Sequence, residues 1–265
     1  FIAIHIFFSF KITKKNRYLC RMKNKQWFSS WFDTEYYHIL YQNRGEEEAK
    51  KFINQLIQLL EIPKSSPVLD LACGKGRYSI TLNELGYSVI GADLSSNSIL
   101  EAKQFEKEGL EFIVQDMREV IPNVSFQAVF NLFTSFGYFD STADNEKVLN
   151  SIHEMLLPKG MLVIDFMNAT KVIKDLVFEE TIVLNSIEFN ISRHFDGSHI
   201  FKYIDFFADG ENNSYMERVQ GLRLSEFQGL FSKTGFELIS TFGDIELNPF
   251  DEENSDRLIM IVQKK

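Results

Sequence analysis

The sequence predicts an α/β fold: a mostly parallel seven-stranded sheet with helices on both faces, plus an inserted antiparallel β segment. Three observations lead there. Short apolar runs alternate with segments of helical periodicity between residues 46 and 166. The first of these apolar runs breaks directly into a glycine-rich loop. After about residue 175 the period changes to two.

Within residues 46–60, Ala49, Phe52, Ile53, Leu56, Ile57 and Leu60 recur three and four apart, the stripe of an amphipathic helix that stops near Pro63. Pro67-Val-Leu-Asp-Leu71 reads as the first strand, and residues 77–85 as a helix closed by Gly86. The unit repeats with a strand at 88–93. A helix follows, opened by the capping-box spacing Ser98-Ile-Leu-Glu101 and ended before Gly109, and then a third strand at 111–115. Residues 128–132 form a fourth strand, 142–157 a helix, Pro158-Lys-Gly160 a turn and 161–166 a fifth strand. Period-two runs at 186–194 and 199–206 flank the turn signal Asp196-Gly197, and 215–220 adds a further strand. Ser225-Glu-Phe-Gln228 opens a helix that stops at Gly235, and strands at 236–242 and 258–263 complete the main sheet. These boundaries divide the chain into a leader at 1–26, a main domain made of 27–174 and 221–265, and an insert at 175–220.

The formal charge of −9 over 265 residues hides an asymmetry, because residues 1–26 hold seven Lys and Arg and no acid. The remainder carries 21 bases against 37 acids. A body this acidic repels a phosphate backbone, so no nucleic-acid partner is expected. The apolar run at 1–10 falls well short of the roughly 20 residues a membrane helix needs, and its basic residues follow it where a signal peptide would have them first. The leader is therefore expected to lie outside the fold, with no membrane partner. Cys20 and Cys73 stand far apart without metal-ligand spacing, which predicts no metal site and a reduced, cytoplasmic protein.

In a strand-loop-helix unit a ligand sits at the carboxyl edge of the sheet, where glycines let the backbone approach it. Gly74 and Gly76 occupy that place. Asp93 ends the next strand, 23 residues beyond Asp70, close to the spacing at which a carboxylate binds ribose hydroxyls. Together these features indicate an adenosine-type ligand. A dinucleotide would favour a third glycine where Ser79 stands, and Asp70 at the start of the loop would repel a pyrophosphate but could pair with an ammonium group. The charge pattern favours a cofactor with a methionine moiety over a nicotinamide dinucleotide.

The run Asp70-Leu-Ala-Cys-Gly-Lys-Gly-Arg-Tyr78 resembles the first motif, (D/E)-x-(G/A)-x-G-x-G, of the class I S-adenosylmethionine-dependent methyltransferases. The resemblance covers most of residues 27–265 and implies a Rossmann-like fold with S-adenosyl-L-methionine as cofactor. It implies that Ala72, Gly74 and Gly76 pass close to the methionine part, that Asp93 holds the ribose hydroxyls, and that Leu94 lies against the adenine. Asp116 and Met117 match the adenine site, while Asn131 and Leu132 match the motif beside the transferring methyl. Trp31-Phe-Asp-Thr-Glu-Tyr-Tyr37, followed by Arg44, looks like the arm that some bacterial small-molecule methyltransferases and glycine N-methyltransferase-like enzymes fold over the cofactor. That likeness puts Tyr37 at the cofactor and Arg44 on its carboxylate. The antiparallel insert looks like the same group's lid, which implies a small-molecule acceptor.

A sulfonium methyl is already activated, so alignment and exclusion of water suffice and no catalytic triad is needed. If the acceptor must lose a proton, Tyr138 or His38 is the candidate base. The aromatic run 133–139 follows the fourth strand into the ligand edge and is expected to wall a pocket. Bland alternatives stand beside these readings: Asp93 as a helix cap, Arg44 as a surface ion pair with Glu46 to Glu48, Cys73 as a buried thiol without chemistry. Two other functions compete: a catalytically silent cofactor-binding module, and a nicotinamide-linked oxidoreductase, for which no Tyr-x-x-x-Lys pair is found.

Overall fold

A computed structural model describes residues 31–42 and 45–265, so the leader at 1–26 lies outside the described residues. The first described helix, α1 (Glu35–Leu40), is capped by Thr34, whose Oγ1 accepts from the Tyr37 N–H at 3.2 Å. Helix α2 (Glu46–Leu60) puts three glutamates in its first turn, the end that favours negative charge, and buries Ala49, Phe52, Ile53 and Leu56. The alternating units follow: β1 (Val68–Leu71), α3 (Arg77–Glu84), β2 (Val89–Asp93), α4 (Ser96–Ala102), β3 (Leu110–Val114), β4 (Phe126–Asn131), α5 (Thr142–Met155) and β5 (Leu156–Met167).

The turn expected at Pro158-Lys-Gly160 is instead a bulge inside β5. Phe126 pairs with Leu156 and Ala128 next pairs with Met161, so the intervening residues are extruded. Lys159 takes a positive φ of 65°.

After β5 come α6 (Ala169–Lys174), β6 (Glu179–Leu184), β7 (Ile187–Phe195), β8 (His199–Ala208), β9 (Glu211–Gln220), α7 (Leu224–Lys233), β10 (Phe236–Phe242) and β11 (Arg257–Lys264). The main sheet has seven strands in the order β10-β11-β5-β4-β1-β2-β3. Strands β1 to β5 run parallel, and β11 is antiparallel to both of its neighbours. From β1 the chain winds one way to β2 and β3 and the other way to β4 and β5, so a crevice opens at the carboxyl ends of β1 and β4. One apolar core lies on the α5 and α7 face and a second on the α2, α3 and α4 face. Among the described residues, no helix is long and apolar enough to cross a membrane.

Two glycines let α3 sit close to the sheet. A Cβ on Gly76 or on Gly91 would stand 2.5 Å from the Phe112 ring, and Gly76 also takes a φ of 85°. Gly76→Ala is expected to lower stability by about 1–3 kcal/mol in urea unfolding, through overpacking and backbone strain together. Gly74→Ala, whose added Cβ meets nothing within 4 Å, is expected to cost only the smaller backbone share.

The second sheet, β6-β7-β8-β9, is wholly antiparallel. Its central hairpin turns at Asp196-Gly197: Asp196 Oδ1 accepts from the Ser198 and His199 N–H groups at 2.9 and 2.7 Å, and Gly197 takes a φ of 99°. A third apolar cluster joins the arm to this sheet, with Trp31 and Leu40 packed against Phe189, Ile191, Ile204 and Phe206. The second sheet and the arm together roof the crevice.

Candidate functional site

The crevice encloses a cavity of about 620 Å³. Its floor is the turn that leaves β1, where Ala72, Gly74 and Gly76 take φ of 65°, 56° and 85° in close succession. The Ala72 and Cys73 N–H groups both donate to the Ala92 carbonyl, at 2.7 and 3.0 Å, and so fasten the turn to β2. Asp93, at the end of β2, accepts from the Gly74 N–H through Oδ2 and from the Ser95 N–H through Oδ1, both at 2.8 Å. Burial pushes the Asp93 carboxyl above the ordinary range, although these backbone donors pull the other way. Each oxygen keeps a further lone pair for a donor in the cavity.

Next to Asp93, Leu94 presents an apolar side chain that is 37% exposed. Asp116 follows β3 and is gripped by Arg118, with Nη2 on Oδ2 at 2.6 Å and Nε on Oδ1 at 3.0 Å. Burial raises the Asp116 carboxyl, but the Arg118 bonds outweigh it and hold it below the usual carboxylate range. Met117 is fixed through its carbonyl, which accepts from Ser151 Oγ at 2.6 Å.

Beyond Leu132 the chain turns through two left-handed residues, Phe133 (φ 62°) and Thr134 (φ 55°). Buried Asp165 holds them: its Oδ2 accepts from the Phe133 N–H and its carbonyl from the Thr134 N–H, both at 2.8 Å. Arg257 clamps the same carboxylate from the other side, with Nε on Oδ1 at 2.7 Å. Phe32, Tyr37 and Tyr138 add an aromatic wall to the cavity, and Arg193, Lys202 and Glu217 line it from the second sheet.

Of the residues singled out in the sequence, Tyr37, His38, Ala72, Gly74, Asp93, Leu94, Asp116, Met117, Leu132 and Tyr138 all line this cavity. Asp70, Gly76 and Asn131 stand behind its wall. Asp70 is 1% exposed and accepts from Ser79 Oγ at 2.6 Å; burial pushes its carboxyl up to about 7, with the neighbouring Asp93 charge adding to the rise. Gly76 is committed to the Phe112 contact. The Asn131 amide nitrogen donates to the Leu71 carbonyl at 3.0 Å and ties β4 to β1, while its Oδ1 has no partner among the described residues. Arg44 lies outside the described residues. Sequence reasoning missed these three charged residues, which share a strand parity with the apolar Ile191, Ile204 and Tyr215.

Residues 62–213 match the family model described as a methyltransferase domain. YqeM of Bacillus subtilis, named as a methyltransferase, is 30% identical over 217 residues that cover 77% of this chain and 86% of the relative. The chain belongs to the methyltransferase family. A glycine/sarcosine N-methyltransferase of Parasynechococcus marenigrum is 28% identical to this methyltransferase over 84% of the chain and 78% of the relative. The crystal structure of an S-adenosylmethionine-dependent methyltransferase from Clostridium acetobutylicum superposes with a TM-score of 0.75 at 17% identity, covering 86% of this chain and 96% of that one. The two share the fold.

The residues lining the cavity fit S-adenosylmethionine, the cofactor that the sequence resemblance implies. A carboxylate with spare lone pairs, an exposed leucine beside it and a turn whose Gly74 backbone borders open space are what a ribose, an adenine and an amino-acid tail require. The seven-stranded sheet and separate antiparallel sheet agree with the fold read from the sequence.

Proposed function

We propose that this methyltransferase transfers a methyl group in line to an amine nitrogen of a small molecule held beneath the lid formed by residues 175–220. The observation that carries the reading is that Asp93 and the aromatic side chains of Phe32, Tyr37 and Tyr138 line one cavity. Aromatic faces attract a cationic amine and exclude water around it once it is neutral. A relative named for glycine and sarcosine, both amines, supports the same choice.

When bound, S-adenosylmethionine supplies a methyl group already activated on a sulfonium sulfur. The chain's own residues bind and align. Asp93 takes the ribose hydroxyls, Leu94 and Met117 enclose the adenine, and Asp116 accepts from its exocyclic amine. The backbone at Ala72 and Gly74 admits the methionine part, with Leu132 and Tyr37 closing around it. Tyr138 or His38, both on the cavity wall, takes the proton that the acceptor nitrogen loses. Asp70, Gly76 and Asn131 hold the floor in shape from behind. The buried free thiol of Cys73 fits a reducing compartment such as the cytoplasm.

A turnover screen that follows formation of S-adenosylhomocysteine across amines, phenols, carboxylates and sugars tests the reading, and turnover confined to non-amine acceptors refutes it. Asp93→Ala is expected to weaken S-adenosylhomocysteine binding about tenfold or more, since a hydrogen bond to a charged group is worth about 1.5–3 kcal/mol. Calorimetry showing unchanged affinity would remove Asp93 from the cofactor site.

A further inference from the structure

Beyond β4 the chain leaves the main sheet through Leu132-Phe133-Thr134-Ser135, and all four residues line the cavity. Phe133 and Thr134 take left-handed conformations in succession, with φ of 62° and 55°. Among the described residues with positive φ other than glycine, Thr134 is the only β-branched one. Such a side chain is poorly suited to this conformation, because its Cβ substituents crowd the adjoining backbone. Asn185 and Ser186 also take positive φ in succession, but they form the two-residue turn between β6 and β7, which demands it. No hairpin imposes the conformation on Thr134, since β4 leads on to helix α5. Glycine would adopt it without strain. The position therefore keeps a side chain at the expense of backbone comfort.

The fold makes no use of the hydroxyl that this side chain carries. The Thr134 N–H donates to the Asp165 carbonyl at 2.8 Å, a bond that any residue but proline could make. The next hydroxyl along, on Ser135, is engaged inside the turn by the Leu132 carbonyl at 2.8 Å. The Thr134 hydroxyl has no hydrogen-bond partner among the described residues, and it is not one of their sealed polar atoms, so it opens on accessible space. The space that Thr134 borders is the cavity. In the strand order β4-β1-β2, the end of β4 lies across β1 from the end of β2, where Asp93 stands. Thr134 thus borders the cavity across the Ala72 to Gly76 turn from the ribose carboxylate, on the side left for an acceptor.

We infer that Thr134 Oγ1 accepts a hydrogen bond from an N–H of the acceptor amine and so turns the nitrogen lone pair toward the methyl. A neutral amine rotates about its C–N bond, and a fixed acceptor oxygen selects the orientation in which the lone pair is in line. A neutral hydroxyl suits this task better than a carboxylate, which would favour the ammonium form and leave no lone pair free. The lone pair forms the new C–N bond, the electrons of the broken S–C bond stay on sulfur, and the nitrogen then gives up a proton through Tyr138 or His38. The buried Asp165 holds the turn, and with it the hydroxyl, against the preference of Thr134 itself. The inference rests on the amine-methylation reading above and names the residue that orients that amine.

Three variants of the whole protein test this, with glycine, sarcosine and every other amine that turns over in the screen above as probes. Thr134→Val, which is close in shape, is expected to lower kcat about tenfold with little change in KM. Thr134→Ser, which keeps the hydroxyl, is expected to stay within about threefold of the parent protein. Thr134→Gly is expected to be as slow as Thr134→Val and yet to unfold at no lower urea concentration than the parent, because it sheds the strain. All three are expected to bind S-adenosylhomocysteine with the parent Kd. A Thr134→Val variant that turns over amines as the parent does overturns the inference, and so does a Thr134→Gly variant less stable than the parent. An equal loss on tertiary amines, which carry no N–H when neutral, overturns it as well. Turnover confined to non-amine acceptors overturns the amine reading and this inference with it. That outcome shows in the parent protein, whereas failure of the Thr134 role alone shows only in the variants.

Discussion

Without cofactor at pH 8, Asp70→Asn is expected to be more stable than the parent protein by up to about 4 kcal/mol, whereas at pH 4 the two are expected to be equal. Burial raises the Asp70 carboxyl from an ordinary 3.8 to about 7. Between those values the folded chain keeps a proton that the unfolded chain has released, so the folded state binds more protons and stability falls as pH rises, by about 1.4 kcal/mol per unit. Above about pH 7 both states are ionised and the loss is complete. Asparagine is neutral throughout and can still accept from Ser79 Oγ, so the slope disappears with the charge. Urea unfolding of both proteins at pH 4.5, 6 and 8 checks this, and parallel profiles would show that Asp70 does not titrate in this window. A buried acid that weakens the free enzyme makes sense behind a site for a cationic cofactor, and S-adenosylmethionine affinity is expected to rise with pH through the same interval.

The second large effect is expected at Asp165. It is fully buried, and its carboxylate carries both the Arg257 guanidinium and the Phe133 N–H. Asp165→Asn leaves the Arg257 charge with Glu48, at 3.8 Å, as its remaining carboxylate partner among the described residues. Breaking a buried pair from one side costs about 3–5 kcal/mol. Removing both partners is a different experiment, because no lone charge remains: Asp165→Leu with Arg257→Met is expected to recover most of that stability. It should not recover methyl transfer, since Phe133 and Thr134 keep their left-handed conformations by virtue of the Asp165 contacts. Urea unfolding and turnover on single and double variants separate the two effects. A double variant as unstable as the single one would contradict the account.

Strands β1 to β5 and the helices between them were legible because each is buried on a periodicity that composition cannot hide. Where the reading failed, pairing partners outweighed local preference. Strand β6 opens with Glu179 and Glu180 and keeps Val183 64% exposed, so its short run Ile182-Val183-Leu184 gives no clear period-two signal; it exists because β7 lends it a full ladder. Strand β9 begins four residues before the expected start, through Asn212 and Asn213, which pair with Phe207 and Phe206. Pro158 and Gly160 signal a turn locally, and the sheet absorbs them as a bulge. In the site, the loop residues and Asp93 were legible because strand ends fix where they point. The roles of Asp70 and Gly76 were not, because Ser79 and Phe112, which claim them, are met only in three dimensions. The Arg193-Lys202-Glu217 row depends on strand register, which the sequence does not state.

The arm has a kinetic consequence. Asp33 accepts from Ser95 Oγ and from the Asn97 N–H at 3.3 Å, and Ser95 is also the donor to Asp93. A few residues away Trp31 and Tyr41 are tied to Glu217 on the lid. One short segment thus bridges the two sheets across the cavity, and departure of a spent cofactor competes with the bonds at its ends. Turnover is then metered by how often this bridge parts, so the slow step is expected at product escape and not at methyl transfer.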